Sequence, residues 1–127
     1  MEELQEIFKS RNTILNLLER QNYNIENYKD TGFSEVNSMY ISKQLDMLLE
    51  NNNNEKKVYI KYHLAKTLRP ANIYDYIEDL FNIDNVLKQT DTLIIIMKDE
   101  PNDTIKKTLI HIFEKDNIFI IFFNIKR

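Results

Sequence analysis

The chain has 127 residues, which fits a single domain over residues 1–127, and its 43% of hydrophobic residues are enough for a packed core. It has no cysteine, which excludes disulfides and thiolate metal sites, and its one glycine excludes the glycine-rich loops that bind nucleotide phosphates. The formal net charge of −3 excludes nucleic-acid binding by overall charge, so any such contact must be local or made through partners.

The first predicted element is an amphipathic helix over residues 2–21. Its acidic start, MEELQEIF, is unlike a signal peptide, and the longest apolar run, residues 118–123, is far shorter than the ~20 residues that span a bilayer. We therefore expect no membrane partner. Arg11 and Glu19 are predicted to lie outside the apolar face of this helix. That face consists of Leu4, Ile7, Phe8, Ile14, Leu15, Leu17 and Leu18.

A β-hairpin is predicted next. Residues 22–37 are polar and aromatic and are expected to combine a short helical turn with loop, after which residues 39–49 are predicted to be mostly strand. The four consecutive asparagines, Asn51–Asn54, favour a turn because asparagine tolerates left-handed backbone. Residues 57–63 then alternate in polarity as a second strand does, and we expect the two strands to pair.

A helix is predicted over residues 71–88, with a break near Asn82. Pro70 stands just before it, where the missing N–H of proline has no helical partner to lose. Apolar residues recur at helical spacing in this segment, while acidic residues occupy the opposite face.

The last part of the chain contains two dense apolar runs, residues 92–97 and 118–123, and both predict buried strands. Each run is apolar on both faces, which is typical of central strands covered by helices on both sides. Between them, Asn102 or Asp103 is predicted to cap a helix that reaches about Lys115. Its inward residues are expected to be Ile105, Leu109, Ile112 and Phe113.

The order of these elements predicts an α/β fold. A strand, a helix and a second strand form a right-handed β-α-β unit in which the two strands are parallel. The whole chain is therefore expected to place a leading helix, a β-hairpin, a helix and this β-α-β unit around one mixed sheet.

Two segments contain candidate phosphate contacts. Residues 55–70 carry five basic side chains against one acidic side chain, and such a local excess can meet a nucleic-acid backbone. The simpler interpretation is a solvated strand edge on which lysines discourage pairing. Residues 101–107 open a helix whose first amides can bind phosphate, although Glu100 and Asp103 already use the helix dipole and would repel DNA.

Four segments resemble the fifth subunit of eukaryotic-type RNA polymerases, the subunit shared among the nuclear enzymes. LQEIFKSRNTILNLLERQNYNI is similar to its opening helix, and DTLIIIMKDEPNDTIKKTL to its buried strand and proline-initiated helix, with Pro101 at the family proline. KVYIKYHLAKTLRPANIYDYIEDL and NIFIIFFNIKR resemble the preceding strand, basic turn and helix and the closing strand. The resemblance covers essentially the whole chain. In the opening helix it rests on Phe8, Lys9, Arg11, Thr13, Ile14 and Tyr23.

The resemblance implies the N-terminal jaw domain of this subunit, with a restriction-endonuclease-like fold that lacks a catalytic site. It implies a non-catalytic role in transcription, with the largest polymerase subunits and downstream duplex DNA as partners and with no cofactor or small-molecule substrate. The asparagine-rich composition would fit a version encoded by a large DNA virus, acting in the nucleus, the virion or a viral factory. The DNA-contact candidates are Lys66, Arg69, Pro101, Thr104, Lys106 and Lys107.

The sequence departs from this family in its length, in the proline motif and in the basic turn. The complete subunit carries a C-terminal assembly domain, whereas this chain stops at Lys126-Arg127, so either it is one domain of a longer protein or that domain is missing. Pro-Asn-Asp-Thr replaces Pro-Ser-Ala, and the turn that carries Lys66 and Arg69 lacks the family glycine. The alternative to a polymerase subunit is a stand-alone protein-interaction module of the same fold.

A metal-dependent nuclease is the third hypothesis, because the implied fold also houses such enzymes. Their site needs a carboxylate on one hairpin strand and Glu-x-Lys on the next. Lys61 could be that lysine, but Tyr59 stands where the glutamate should be, and the preceding strand offers only Asp46. One carboxylate cannot build the site, so we expect Asp46 and Lys61 to form a surface ion pair and expect no metal.

Overall fold

The computed structural model describes residues 2–126, which form four α-helices and one four-stranded sheet. The helix α3 continues directly into a π-helical segment, Glu78–Ile83. No helix among the described residues is long and apolar enough to cross a membrane. The elements are α1 (Glu2–Arg20), α2 (Phe33–Ile41), β1 (Met47–Glu50), β2 (Lys57–His63), α3 (Pro70–Ile77), β3 (Thr92–Met97), α4 (Asp103–Asp116) and β4 (Phe119–Asn124).

The sheet is mixed and has the strand order β1-β2-β3-β4. β1 pairs antiparallel with β2, while β2 with β3 and β3 with β4 are parallel pairs. The predicted α/β fold, with its hairpin and its final β-α-β unit, is therefore confirmed. The structure adds a second β-α-β unit, because α3 joins the parallel strands β2 and β3. Both connecting helices lie on the same face, as right-handed crossovers that advance in one direction require.

Helices cover both faces of the sheet and create two separate cores. On one face, α1 and α2 pack against Ile60, Ile94 and Ile96. On the other face, α3 and α4 pack against Leu93 and Ile95. Successive residues of β3 thus enter different cores, which explains why this strand is apolar at almost every position.

The prediction that residues 118–123 form a second central strand is wrong, because β4 lies at the edge of the sheet. Ile120 and Phe122 pack with α4 in the second core. On the opposite face, Phe119 and Ile121 are 50% and 41% exposed. A run that is apolar on both faces is therefore covered along one face, and on the other face only near its end, where Phe123 packs on the first core.

The diagonal course of α1 explains why the start of β4 is uncovered. Near its beginning, Glu3 forms an ion pair with Lys98, which follows β3. At its end, the carbonyl of Gln21 accepts a hydrogen bond of 3.0 Å from the side chain of Asn51, which follows β1. α1 thus runs from the end of β3 towards the end of β1 and leaves the first residues of β4 open.

The predicted strand over residues 39–49 is mostly wrong. Its first residues form the last turn of α2, and only residues 47–50 are strand. Val36, Met39 and Tyr40 pack on the first core at helical spacing, which is why the helical conformation is preferred there. The hairpin is correspondingly shorter than predicted.

Leu17, predicted on the apolar face of α1, is 39% exposed. Two further side chains do not lie where the helical periodicity predicts. Arg11 is only 2% exposed, because its guanidinium reaches the carbonyl of Leu45 at 2.6 Å. Phe113 is 49% exposed, because its ring turns to the edge of β4, where it meets Phe119 edge to face at 6.2 Å between centroids. In both cases a contact outside the helix overrides the periodicity.

Candidate nucleic-acid interface

Parallel strands bring two loops to one edge of the sheet. The carboxyl ends of β2 and β3 point to the same side, so the loop after β2, residues 64–69, and the segment after β3, residues 98–107, both begin there. We call these two segments the carboxyl edge. All six sequence-predicted contact residues belong to it: Lys66, Arg69, Pro101, Thr104, Lys106 and Lys107.

His63 fixes the loop that carries Lys66 and Arg69. The histidine is buried at the end of β2, and its Nε2 donates to the carbonyl of Thr67 at 3.0 Å. Its Nδ1 is hydrogen-bonded to the hydroxyl of Tyr76 on α3. Both ring nitrogens are engaged, so the loop is tied to the strand before it and to the helix after it. The exposed side chains of Lys66 and Arg69 therefore project from a fixed backbone.

The start of α4 is capped as the sequence predicts, by Asn102. Its side-chain oxygen accepts a hydrogen bond of 2.9 Å from the N–H of Ile105. Lys106 and Lys107 are exposed in the first turns of the helix, and the acidic Asp103 precedes them. The two lysines thus place positive charge close to the start of α4. The free backbone N–H groups of this helix start are already partly satisfied by Asn102.

Carboxylates from α1 line the same hollow as Lys66. This hollow has a volume of about 330 Å³ and contains more acidic than basic side chains. Lys98 in the same hollow is bound to Glu3, and this hydrogen bond, followed by one from the Tyr40 hydroxyl, lowers the pKa of Glu3. The positive charge of Lys66 is therefore offset by nearby carboxylates more than its sequence neighbourhood predicts. The other lining residues are Glu2, Glu6, Asp99 and Lys126.

A larger open cleft, of about 750 Å³, lies at the same end of the sheet beside β1. It is lined by the end of α2, the loop before β1, the end of β2 and Tyr76 of α3. Its basic side chains are Lys43 and Lys61, and Lys61 Nζ lies 5.0 Å from the centroid of the Tyr76 ring. The aromatic ring and the ion pair described next together hold Lys61 in place.

Asp46 is the carboxylate of this cleft, and its oxygens are engaged within the hairpin. One oxygen accepts the backbone N–H of Tyr62 at 3.0 Å. The other accepts the hydroxyl of Tyr59 at 2.9 Å and pairs with Lys61 at 3.0 Å. Burial, and then the charge of Asp46, raises the pKa of Tyr59. The predicted pair of Asp46 and Lys61 is thus present, and its role in this geometry is to hold the chain before β1 against β2.

Metal ligands do not gather at the carboxyl edge. Within residues 2–126, no group of three or more His, Cys, Asp or Glu side chains could hold a metal ion. His63 is buried against Thr67 and Tyr76, and His111 is exposed on α4. What this edge offers chemically is a set of lysine and arginine charges on a rigid support.

Sequence analysis missed Lys43 and Lys98 as members of this end of the molecule. Lys98 directly follows the buried strand β3, and residues in that position gather at one edge in a parallel sheet. That signal was available. Lys43 gave no such signal, because its place depends on α2, whose last residues were predicted as strand.

No protein-family model matches this chain, and no curated protein sequence matches it either.

Proposed function

We propose that this chain is a non-catalytic domain of a DNA-directed RNA polymerase, a jaw module that helps to position downstream duplex DNA during transcription. The observation that carries the proposal is that two separate segments bring exposed lysine and arginine side chains to the carboxyl edge. The same segments, in the same order, support the resemblance to the fifth polymerase subunit. The partners we propose are the largest polymerase subunits and the DNA backbone.

A rigid support suits this function because phosphate contacts position DNA only if their separation is fixed. The sheet is covered on both faces, His63 ties down the first loop, and Asn102 caps the helix that follows the second. As part of the proposal we assign the fold to the restriction-endonuclease-like type without a catalytic site. The mixed sheet supports this assignment, and the engagement of Asp46 within the hairpin supports the lack of a nuclease centre.

The expected contacts are electrostatic and independent of base sequence. Lysine and arginine contacts to phosphate fix the register of a protein on DNA without specifying bases. The overall charge of −3 keeps the intrinsic affinity low, so the large subunits must supply most of the binding. Lys106 and Lys107 should contribute more than Lys66, because Lys66 lies among carboxylates.

The first prediction concerns DNA binding by the assembled polymerase. Replacing Lys66, Arg69, Lys106 and Lys107 together by alanine should weaken the binding of downstream duplex. The slope of log K against log salt concentration should fall by about 0.9 for each phosphate contact that is lost. Fluorescence anisotropy of a labelled duplex over a salt series measures both quantities.

The matched control removes the same charge from the opposite end of the sheet. Arg20, Lys56, Lys88 and Lys115 lie at the end of α1 and just before β2, β3 and β4, and all are exposed. Their replacement by alanine should leave the salt slope unchanged. An unchanged slope in the carboxyl-edge variant, or an equal loss in both variants, contradicts the proposed contacts.

The second candidate function is a stand-alone protein-interaction module of the same fold. The observation that favours it is the exposure of Phe119 and Ile121 on β4, because large apolar side chains at a sheet edge commonly mark a binding surface. It becomes the better proposal if the protein occurs in cells without any polymerase subunit.

A further inference from the structure

The antiparallel pairing of β1 with β2 stops before β2 ends. The pair at this end joins Met47 to Ile60, and β2 continues for three further residues, to His63. The segment that precedes Met47, residues 42–46, is a turn and a loop after α2 and forms no strand. On the β1 side, the last part of β2 is therefore left without a neighbouring strand.

The register of the hairpin shows which backbone groups this leaves open. The N–H of Leu48 points away from β2, to the hydroxyl of Tyr28, so the neighbouring pair that includes Ile60 is the one that exchanges hydrogen bonds. The backbone groups of the even-numbered residues of β2 therefore point to the β1 side. The N–H and C=O of Tyr62 lie on this side, and so does the N–H of Leu64, which directly follows the strand.

A side chain satisfies one of these three groups. The carboxylate of Asp46 accepts the N–H of Tyr62 at 3.0 Å, where the main chain of β1 would otherwise bind. Within residues 2–126, the carbonyl of Tyr62 and the N–H of Leu64 have no hydrogen-bond partner. This acceptor and this donor lie two residues apart on one strand edge, where a single residue of an added parallel strand can bind both.

The open cleft of about 750 Å³ lies against this strand edge. Its lining includes the end of β2 and the two residues after it, together with the end of α2 and the loop before β1. Pockets that bury small ligands have volumes of about 300–1,000 Å³. The cleft is therefore large enough for a few residues of an extended chain and too small for the face of a folded domain.

The lining of the cleft combines apolar surface with positive charge. Ile41 is 72% exposed beside the half-buried Leu64, so an apolar side chain can be covered there. Lys43 is exposed and forms no ion pair within residues 2–126, whereas Lys61 is paired with Asp46. Because both oxygens of Asp46 are already engaged, the charge that the cleft offers to a ligand is positive.

We propose that this cleft binds a short extended segment of a partner protein that carries an acidic side chain. The segment adds to the end of β2 in the place that β1 leaves open, and its carboxylate faces Lys43. The open strand edge selects an extended backbone, and the lysine selects the sign of the charge. A phosphate group would use Lys43 but would leave the carbonyl of Tyr62 without a donor.

The cleft is formed before any ligand binds. Asp46 holds the loop before β1 against β2, and its ion pair with Lys61, together with the ring of Tyr76, fixes that lysine. The hydrogen bonds of His63 tie the end of β2 to α3 and to the loop that follows. A site whose parts are already in place spends little free energy on ordering them, which favours the binding of a short segment.

The test follows the backbone amide NMR signals of the purified chain during titration with a blocked pentapeptide, acetyl-Val-Glu-Val-Glu-Val-amide. We expect the signals of Leu64 and Lys43 to shift and to saturate at a peptide concentration on the order of 1 mM. The same peptide with glutamine in place of glutamate should bind about threefold more weakly. A peptide methylated on its backbone nitrogens should also bind at least about threefold more weakly, because it cannot donate to the carbonyl of Tyr62.

Lys43→Glu reverses the charge of the cleft and should weaken the binding of the glutamate peptide at least about fivefold. The backbone of Lys43 is left-handed, with φ 58°, and Glu55 adopts φ 63° in the same chain, so glutamate suits this position. The matched control is Lys115→Glu, which makes the same change of charge at an exposed position at the opposite end of the sheet. It should leave the affinity for the peptide unchanged.

Three results overturn the proposal: no saturable shift at Leu64, equal binding of the charged and neutral peptides, or an equal loss of affinity in both lysine variants. Inorganic phosphate provides a further control. If it shifts the signals of Leu64 and Lys43 as strongly as the peptide does, the cleft binds an anion without its backbone, and the proposal fails. None of these results bears on the polymerase function, because the measurement contains no polymerase and no DNA.

Discussion

Arg11 carries a positive charge into the core between α1 and the loop before β1. Its guanidinium donates to the carbonyl of Leu45, and burial lowers the pKa of Arg11, while Tyr62, Tyr28 and Asp46 act in the opposite direction. The ordinary pKa of arginine is so high that the side chain remains charged at neutral pH. The hydrogen bond and the packing of the long stem must offset the loss of hydration.

Replacing Arg11 should therefore destabilise the fold although it removes a buried charge. Arg11→Ala is expected to lower the free energy of unfolding by about 2–4 kcal/mol, since it leaves the Leu45 carbonyl without its donor and removes the stem. Arg11→Met keeps most of the packing and should lower the free energy of unfolding by about half as much as Arg11→Ala. Urea unfolding followed by circular dichroism measures both. Arg20→Ala, at an exposed position of the same helix, should change stability by less than about 0.5 kcal/mol, and an equal loss there would refute this role.

Tyr62 makes the fold sensitive to alkaline pH. Burial raises its pKa to about 12, although Ser10 and Arg11 act to lower it. An unfolded tyrosine ionises near pH 10, so the stability contributed by the neutral hydroxyl is complete below about pH 10 and is lost as pH rises towards 12. Within that window, unfolding should become easier by about 1.4 kcal/mol per pH unit for this residue.

The variant Tyr62→Phe should remove the part of the pH dependence of stability that comes from the Tyr62 hydroxyl. Urea unfolding at several pH values between neutrality and pH 12 gives the slope of the free energy of unfolding against pH. Some slope should remain, because burial also raises the pKa of Tyr59. The control Tyr74→Phe changes an exposed hydroxyl on α3 and should leave the slope unchanged. A slope that is the same in Tyr62→Phe and in the parent chain would contradict the assignment.

At the scale of elements, Asp91 joins the beginnings of two parallel strands. Its carboxylate is buried, and one oxygen accepts the N–H of Lys57 at the start of β2 at 2.7 Å. The other oxygen accepts the N–H of Lys88 at 2.8 Å, within the turn that leads to β3. One side chain thus sets the position of both strands, at the end of the sheet opposite the carboxyl edge.

Asp91→Ala should lower the free energy of unfolding by about 2–4 kcal/mol, because two backbone donors lose their acceptor. Asp91→Asn keeps one oxygen acceptor and should lower the free energy of unfolding by less than Asp91→Ala does. Chemical denaturation of the parent chain, Asp91→Asn and Asp91→Ala gives the order of their free energies of unfolding. Asp84→Ala, at an exposed position after the π-helical segment, should be nearly neutral. A loss in Asp84→Ala as large as in Asp91→Ala would show that the two hydrogen bonds contribute little.

The strongest elements were predictable from sequence because local signals agreed. β3 begins at Thr92 and ends at Met97, as predicted. α4 is capped by Asn102, one of the two predicted caps, and ends at Asp116, one residue beyond the predicted end. The edge position of β4 was not predictable, because an apolar run shows what a strand can bury and not whether a neighbour is present. Three of the left-handed positions, Asn22, Asn85 and Asn117, follow from the tolerance of asparagine, but in the turn after β1 the left-handed residue is Glu55 and none of Asn51–Asn54.

At the scale of the whole molecule, the parallel pairing of the strands predicts which segments form the carboxyl edge. It does not predict the balance of acidic and basic side chains there. The predicted β-α-β unit already implied that segments after parallel strands share one edge. The acidic residues beside Lys66 come from α1, and their place depends on how that helix crosses the sheet.

We propose that the chain works within an RNA polymerase. The most direct measurement is affinity purification of the tagged protein from the cells that make it, followed by mass spectrometry of everything retained. We expect the two largest polymerase subunits to be recovered with it in comparable amounts. Recovery of the protein without any polymerase subunit would contradict the claim.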